Sequence, residues 1–167
     1  LPAGGGLGLF TYTAGPTIVA LDRLAGRKIS IPGLAPGTVR RIKAILGENL
    51  PVVLKNPIDT GGLGTRPGTY GLLVDAALAD PNFDLLVTFC CPHKNWPNPT
   101  RELIAAHQKS HKPVLTCYIS TVKGVEEDRE ALQQAGIPLY CSPDEAAWGA
   151  AALIHYSRRG GALHGNA

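Results

Sequence analysis

The sequence contains no methionine, few aromatic residues and no long apolar run. No apolar stretch approaches the roughly 18 residues of a membrane-spanning helix, and no charged segment followed by an apolar core opens the chain as in a signal peptide. The formal net charge of +3 is too small and too evenly spread to indicate nucleic-acid binding. With 44% hydrophobic and 17% charged residues, the composition is typical of a globular protein. We expect it to be cytoplasmic, with no membrane or nucleic-acid partner.

The four cysteines lack the spacing of a zinc site or of a redox pair. They are Cys90, Cys91, Cys117 and Cys141. The adjacent Cys90 and Cys91 are poorly placed for a disulfide with each other, which suits a reducing compartment. We therefore predict no metal site and interpret the cysteines as small buried packing residues. A reactive thiol or a metal site is the alternative.

Both ends of the chain differ in composition from its middle. Three consecutive glycines lie within the first six residues, and residues 157–167 are polar and rich in glycine, which is typical of linkers. We expect one domain over residues 6–157, a linker over residues 1–5, and a linker or a disordered tail over residues 158–167. Because the chain does not start with methionine, we interpret it as part of a longer polypeptide; a processed or trimmed protein is the alternative.

Apolar, β-prone runs alternate with helical patterns along the chain. The predicted strands are Leu7–Tyr12, Arg27–Ile31, Asp84–Cys90, Val114–Ile119 and Ile137–Tyr140, and a short apolar run at Pro51–Leu54 leads into a loop. The predicted helices are Thr17–Leu24, Pro36–Leu46, Thr69–Leu78, Thr100–Lys109, Val122–Gln134 and a last helix from Ser142 to about Tyr156. Such alternation favours right-handed crossovers and a parallel sheet with helices on both faces. We predict a flavodoxin-like α/β fold, with a doubly wound, five-stranded parallel sheet of order 2-1-3-4-5 in three layers.

The turn after the first predicted strand is the sharpest candidate site. In an open parallel sheet, ligands bind beyond the carboxyl ends of the strands, near the point where the strand order switches. Ala14 and Gly15 allow close approach of the backbone, and the following helix presents free N–H groups and partial positive charge. Thr13 and Thr17 add hydroxyl donors. The turn therefore predicts anion binding; a small-residue turn that only serves the fold is the alternative.

Two further segments fall at the same edge of the predicted sheet. Asn56 and Asp59 belong to a proline loop, where they either fix a turn by bonding to nearby backbone or present a side chain to the site. His93 and Lys94 follow the strand that ends at Cys90. They are interpreted either as solvated surface or as a general base and a cation for a carboxylate. The residues alone leave both choices open.

Five sets of residues, in order along residues 6–157, share motifs with one known family. They are Thr11–Pro16, Lys55–Gly62, Asp80–Asp84, Lys112–Leu115 with Ala135–Pro138, and Ser142–Ala146. The first is similar to the family's Asn-Ser-Gly-Gly-Pro-Gly turn, the second to its Gly-Asn-Pro-Val/Leu-Asp signature and the third to its Asp-Pro-x-Val-Asp segment. Together they resemble the succinyl-CoA-ligase-like flavodoxin domain of NDP-forming (ADP-forming) acyl-CoA synthetases.

This resemblance implies a part in a ligase reaction. Enzymes of this family join an acid to coenzyme A with ATP and Mg, through an acyl phosphate and a phosphorylated histidine, and release ADP and phosphate. The helix after the turn would place its N-terminus against the phosphohistidine. The implied phosphate-binding residues are Thr13, Ala14, Gly15 and Thr17. The implied substrate-binding residues are Tyr12, Pro92, His93 and Lys94, with Asn56 and Asp59 in a loop near the site.

The sequence departs from the family in ways that limit its own chemistry. Tyr12 stands at the family's usual Asn and Ala14 at its second glycine; the bulkier Tyr12 would suit a larger or aromatic acid. We find no phosphohistidine loop, ATP-grasp lysine or CoA-binding glycine motif. We therefore expect no catalytic residue, no cofactor held by this domain alone and no activity of the chain by itself. CoA, ATP and Mg would belong to the whole enzyme.

The implied partners are the CoA-binding, phosphohistidine and ATP-grasp domains of the same enzyme, and a homo-oligomer is left open. A different class of function remains as the alternative. The same fold can serve as a non-catalytic flavodoxin-like module for subunit association or small-ligand binding. The sequence does not name the acid or the nucleotide.

Overall fold

Strands and helices alternate along the chain. A computed structural model describes residues 1–47, 54–93, 99–120 and 125–164, with side chains described up to residue 159. The strands are Leu7–Thr11 (β1), Ile58–Asp59 (β2), Leu85–Cys90 (β3), Val114–Tyr118 (β4) and Leu139–Tyr140 (β5). The α-helices are Ala14–Leu24 (α1), Pro36–Leu46 (α2), Thr69–Leu78 (α3), Thr100–Lys109 (α4), Glu126–Gln134 (α5) and Pro143–His164 (α6), and a short 3-10 helix spans Gly61–Thr65.

The sheet is parallel throughout, and its strand order is β2-β1-β3-β4-β5. The three central strands are buried along their whole length, as expected for a sheet covered on both faces. α1 and α6 pack on the face that carries Leu9 and Val87, whereas α2, α3, α4 and α5 cover the face that carries Phe10 and Leu86. These layers confirm the predicted three-layer α/β fold with strand order 2-1-3-4-5.

The second strand of the sheet is not the one that the sequence suggests. The segment Arg27–Ile31, predicted as a strand, makes one isolated bridge to the sheet, at Ser30. Lys28 adopts a φ of 56°, which interrupts the extended backbone that a strand needs. That prediction is wrong. The second strand is Ile58–Asp59, within the predicted proline loop of Asn56 and Asp59, and it pairs with the end of β1.

The Asn56 side chain completes the edge of β1 that β2 is too short to reach. Its Oδ1 accepts a hydrogen bond from the Leu9 N–H at 3.0 Å, and its Nδ2 donates to the carbonyls of Leu7 at 2.7 Å and Pro32 at 3.0 Å. These bonds satisfy buried main-chain groups that a longer strand would otherwise pair. A two-residue β2 is therefore sufficient at this edge.

The last helix is longer than expected. α6 continues to His164, beyond the predicted end near Tyr156. The N-terminal residues lie beside it, and the Ser157 hydroxyl donates a hydrogen bond to the Pro2 carbonyl at 2.6 Å. The division into linkers and one domain stays a prediction. Residues 51–53 of the predicted apolar run and 122–124 of the predicted fifth helix lie outside the described residues.

The four cysteines are free and differ in exposure. Cys90 and Cys117 are buried, Cys91 is half-buried and Cys141 is exposed. Burial raises the pKa of the Cys90 and Cys117 thiols to about 12, so both stay protonated core residues near neutral pH. Among the described residues, no three His, Cys, Asp or Glu side chains are grouped to hold a metal ion. No helix in those same ranges is both long and apolar enough to cross a membrane.

Candidate functional site

The start of α1 lies at the carboxyl edge of the sheet, directly after β1. The helix begins at Ala14, earlier than the predicted Thr17, because Pro16 fits a first turn, where its missing N–H is not needed. Ala14 and Gly15 are exposed, the first turn contains no acidic residue, and the N-cap Thr13 makes no side-chain capping bond. A Cβ added at Gly15 would meet no atom within 4 Å apart from its chain neighbours and the backbone of its own helix. The first two amides of α1 can therefore donate to a ligand.

The threonine hydroxyls around this start bond mainly to the chain itself. Thr11 Oγ1 accepts from the Thr13 N–H at 3.0 Å and donates to the Thr13 carbonyl at 2.7 Å. The buried Thr17 hydroxyl donates to the Ala14 carbonyl at 2.7 Å. The Thr13 hydroxyl donates a hydrogen bond to Cys91 Sγ at 3.5 Å. Of the two hydroxyls predicted as ligand donors, Thr17 is thus engaged within the helix, whereas Thr13 lies half-buried beside the end of β3.

Tyr12 joins the end of β1 to the end of β3. Its side chain is only 3% exposed, and its hydroxyl accepts a hydrogen bond from the Cys91 N–H at 2.7 Å. The ring meets Tyr70 edge-on, with 6.0 Å between the ring centroids. Burial raises the pKa of Tyr12 well above its ordinary value, so the phenol stays neutral. In this arrangement Tyr12 contacts the protein rather than open solvent.

The segment after β3 begins beside the turn that opens α1. Cys91 contacts both Tyr12 and Thr13, while Pro92 is half-buried and His93 is exposed. Lys94 lies outside the described residues. The ends of two neighbouring strands thus come together, as the sheet order predicts. Cys91 is the contact residue that the sequence analysis missed; its position directly after an apolar strand was the available signal.

The side chains of Asn56 and Asp59 bond to the main chain, as expected if they fix the loop rather than face a ligand. Asn56 faces the main chain of β1, as described above. Asp59 Oδ1 accepts a hydrogen bond from the Gly61 N–H at 3.0 Å, which fixes the turn after β2 in the manner of an Asx turn. Both side chains therefore order the loop that leads to α3.

Glu102 closes the start of α3, a second helix that begins at this edge. Its Oε1 accepts from the Gly68 N–H at 3.1 Å and its Oε2 from the Gly71 N–H at 2.6 Å. A small pocket lies beside it, lined by Tyr12, Thr65, Arg66, Tyr70, Pro99 and Glu102. Sequence reasoning missed Glu102, because the carboxylate belongs to α4 and lies more than 30 residues along the chain from the amides that it binds.

Fold and site together define a three-layer α/β domain with an open helix start at the carboxyl edge of its sheet. No family model matches the chain. The chain is 28% identical, over 172 residues, to the alpha subunit of acetate–CoA ligase [ADP-forming] II from Pyrococcus furiosus. This match covers 99% of the chain and 37% of the subunit. The chain is thus homologous to that subunit and spans little more than a third of its length.

Two solved structures share the fold of this chain. The crystal structure of PH0766 from Pyrococcus horikoshii OT3 has a TM-score of 0.81 and 27% identity, covering 95% of this chain and 37% of that one. The apo dinucleotide forming acetyl-coenzyme A synthetase 1 from Ca. Korarchaeum cryptofilum has a TM-score of 0.83 and 24% identity, covering 100% of this chain and 37% of that one. The second likeness supports the fold.

Proposed function

We propose that this chain is a domain of an NDP-forming acyl-CoA synthetase. The whole enzyme would convert an acid, CoA and ATP to acyl-CoA, ADP and phosphate. In it, the start of α1 would lie against a phosphohistidine or an acyl phosphate held by another domain. One observation carries this assignment of the site: α1 begins at the carboxyl edge with exposed Ala14 and Gly15 and without an acidic residue in its first turn. The homology to a subunit of an ADP-forming ligase supports the reaction class.

The start of α1 suits a phosphoryl group for three reasons. The Ala14 and Gly15 amides can donate to phosphoryl oxygens, and the helix dipole adds about half a positive charge at this end. Gly15 has no side chain to hold a bulky anion away, and the space around it is open. The bonds between Thr11 and Thr13 hold the turn in place before any ligand arrives, so little reorganisation is needed on binding. Thr13 adds a hydroxyl beside Cys91.

The segment after β3 is the proposed contact for the substrate carboxylate. Pro92 and the exposed His93 lie in it, and we assign Lys94 to the same role from the sequence alone. Tyr12 is buried, so its part is to hold this segment rather than to line a larger acid pocket. The identity of the acid is left to experiment.

Other domains would supply the nucleophile and the cofactors. We assign Mg, ATP and CoA to the CoA-binding, phosphohistidine and ATP-grasp domains, as the resemblance implies. In this assignment the chain contributes main-chain donors and positive helix dipole, and no catalytic side chain. Sequencing the gene on both sides of the region that encodes this chain, together with the genes of associated subunits, tests whether such domains accompany it.

The direct test uses the whole enzyme and a single bulky side chain. Gly15→Val would shield the first amides of α1 without a clash, because the space around Gly15 is open. We expect phosphoprotein formation from ATP to fall at least about tenfold; outright removal of one preorganised donor typically costs about 10²–10³-fold, and Val shields the amides without removing them. Ala44→Val on the exposed side of α2 is the control. If the Gly15→Val enzyme formed as much phosphoprotein as the unmodified enzyme, the proposed role of α1 would be wrong.

A further inference from the structure

We propose that Tyr12 is a positioning residue, whose hydroxyl holds the segment Cys91–His93 at the start of α1 so that both parts of the site face one ligand. This inference rests on the proposed function, because it concerns the same site. It differs from the substrate contact that the resemblance implies for Tyr12. The evidence is the path of hydrogen bonds between the ends of β1 and β3.

The main-chain ladder between these strands ends before the site begins. Its last pair is Thr11 with Phe89, and Cys91 lies two residues farther along. There the Cys91 N–H donates to the Tyr12 hydroxyl at 2.7 Å, and its sulfur lies 3.5 Å from the Thr13 hydroxyl. Tyr12 and Thr13, the two residues before α1, therefore both contact Cys91, the first residue after β3. A side chain continues the connection where the backbone ladder stops.

The phenol itself has little freedom to move. Tyr12 is buried, and the edge of its ring packs against Tyr70. Tyr70 is in turn fixed, because its hydroxyl lies 3.2 Å from the buried Cys90 sulfur. Since aromatic rings packed in this way keep one orientation, the Tyr12 hydroxyl stays at one position beside Cys91. The connection is thus rigid from α3, through the ring, to the segment after β3.

The start of α1 does not depend on this connection. The bonds between Thr11 and Thr13 hold the turn, and Thr17 bonds within the helix. Tyr12→Phe removes the acceptor for the Cys91 N–H while keeping the ring. It should therefore release the segment after β3 and leave the α1 amides in place. This difference between the two halves of the site separates a positioning role from a general loss of structure.

The first experiment titrates the 15N-labelled chain with inorganic phosphate and follows amide shifts. In the unmodified chain, Ala14, Gly15 and His93 should respond with one common Kd. In Tyr12→Phe, the Kd at Gly15 should weaken several-fold, up to about tenfold, and the response of His93 should disappear. Tyr118→Phe is the matched control, since it also removes the hydroxyl of a buried tyrosine, one that bonds to Asp128 on α5 rather than to Cys91, and it should retain the common Kd.

The outcomes separate the two proposals. If Ala14 and Gly15 do not respond in the unmodified chain, the proposed function of α1 fails. If they respond and Tyr12→Phe titrates like the unmodified chain, the positioning role fails. Should Tyr12→Phe not fold, hydrogen exchange of the Cys91 amide in the unmodified chain decides: slow exchange supports the bond to Tyr12, and unprotected exchange overturns it.

The whole enzyme gives a kinetic readout that a purely structural effect would not produce. With Tyr12→Phe, the KM for the acid should rise several-fold while the KM for CoA stays unchanged, because only the segment after β3 is released. Equal changes in both constants would contradict the positioning role.

Discussion

Two helices, α1 and α3, both begin at the carboxyl edge of the sheet, yet a carboxylate of the protein binds the start of α3 and, within the described part of the chain, none binds the start of α1. At α3, the Glu102 carboxylate from α4 accepts hydrogen bonds from Gly68 and Gly71. At α1, the first turn has no acidic residue, and Ala14 and Gly15 are exposed. Both starts carry the same partial charge. A helix start is available to an external anion only where no carboxylate of the protein already accepts hydrogen bonds from its first amides.

The start of α1 lacks a stabilisation that the start of α3 has. Charge-assisted bonds to a carboxylate stabilise a helix start by about 1–3 kcal/mol, and α3 receives this stabilisation from Glu102. α1 has no such partner among the described side chains and exposes its donors to water. A start left open in this way is characteristic of sites where stability is given up for binding. Substitutions that open α3 or close α1 therefore test the comparison directly.

Opening α3 should have the largest effect on stability. Glu102→Ala leaves the Gly68 and Gly71 amides without their carboxylate, and we expect the free energy of unfolding to fall by about 2 kcal/mol. Urea unfolding of the isolated chain measures this change. Glu130→Ala, which removes an exposed glutamate from α5, should change stability by less than about 0.5 kcal/mol. Equal values for the two variants would show that Glu102 does not cap α3.

Closing α1 should have a smaller effect, of opposite sign. Gly15→Asp places a carboxylate in a first turn that has room for it. We expect a stability gain of about 1 kcal/mol, because the acid complements the helix dipole and replaces glycine. The same variant should lose its response to inorganic phosphate. Gly15→Asn, which is similar in size but neutral, is the control: it shields the amides without adding charge, so it should weaken the phosphate response less than Gly15→Asp does; a full response in Gly15→Asp would contradict an anion site at α1.

The exposed start of α1 is easier to predict from the sequence than the Glu102 carboxylate at the start of α3. The first turn of α1 depends on neighbouring residues, and the run of small residues Thr13–Gly15 shows it directly. Only the exact start differs, because the predicted helix begins at Thr17 whereas Pro16 lies inside the first turn of α1. The Glu102 cap joins residues 31 and 34 positions apart. No local pattern can reveal such a contact before the packing of α4 on α3 is known.

The misplaced second strand has a similar cause. β2 has two residues and no apolar run of its own, because the Asn56 side chain performs part of the pairing along β1. Periodicity therefore favours the longer segment Arg27–Ile31, in which Ile29 and Ile31 alternate with a polar residue, but the positive φ of Lys28 keeps it out of the sheet. The five-stranded order was nevertheless predictable, since the three central strands are long, apolar and buried on both faces.

The smallest expected effect concerns Tyr12, which links the α1 start to Tyr70 in α3. Burial raises the pKa of Tyr12 in the folded state, whereas the unfolded chain ionises near its ordinary pKa of about 10. The stabilisation from the neutral phenol is therefore complete below about pH 10 and declines as the pH rises above it. The unmodified chain should lose about 0.8 kcal/mol relative to Tyr12→Phe between about pH 8 and pH 10.5.

Urea unfolding of the two proteins at both pH values measures this difference, and Tyr70→Phe provides a second pair with a buried tyrosine of raised pKa. Because each comparison differs in one phenol, ionisation of the remaining tyrosines cancels. A gap between the unmodified chain and Tyr12→Phe that stays constant to pH 10.5 would mean that Tyr12 ionises in the folded protein. The hydroxyl would then be accessible to solvent rather than held against Cys91, and α1 and α3 would not be connected through a rigid ring.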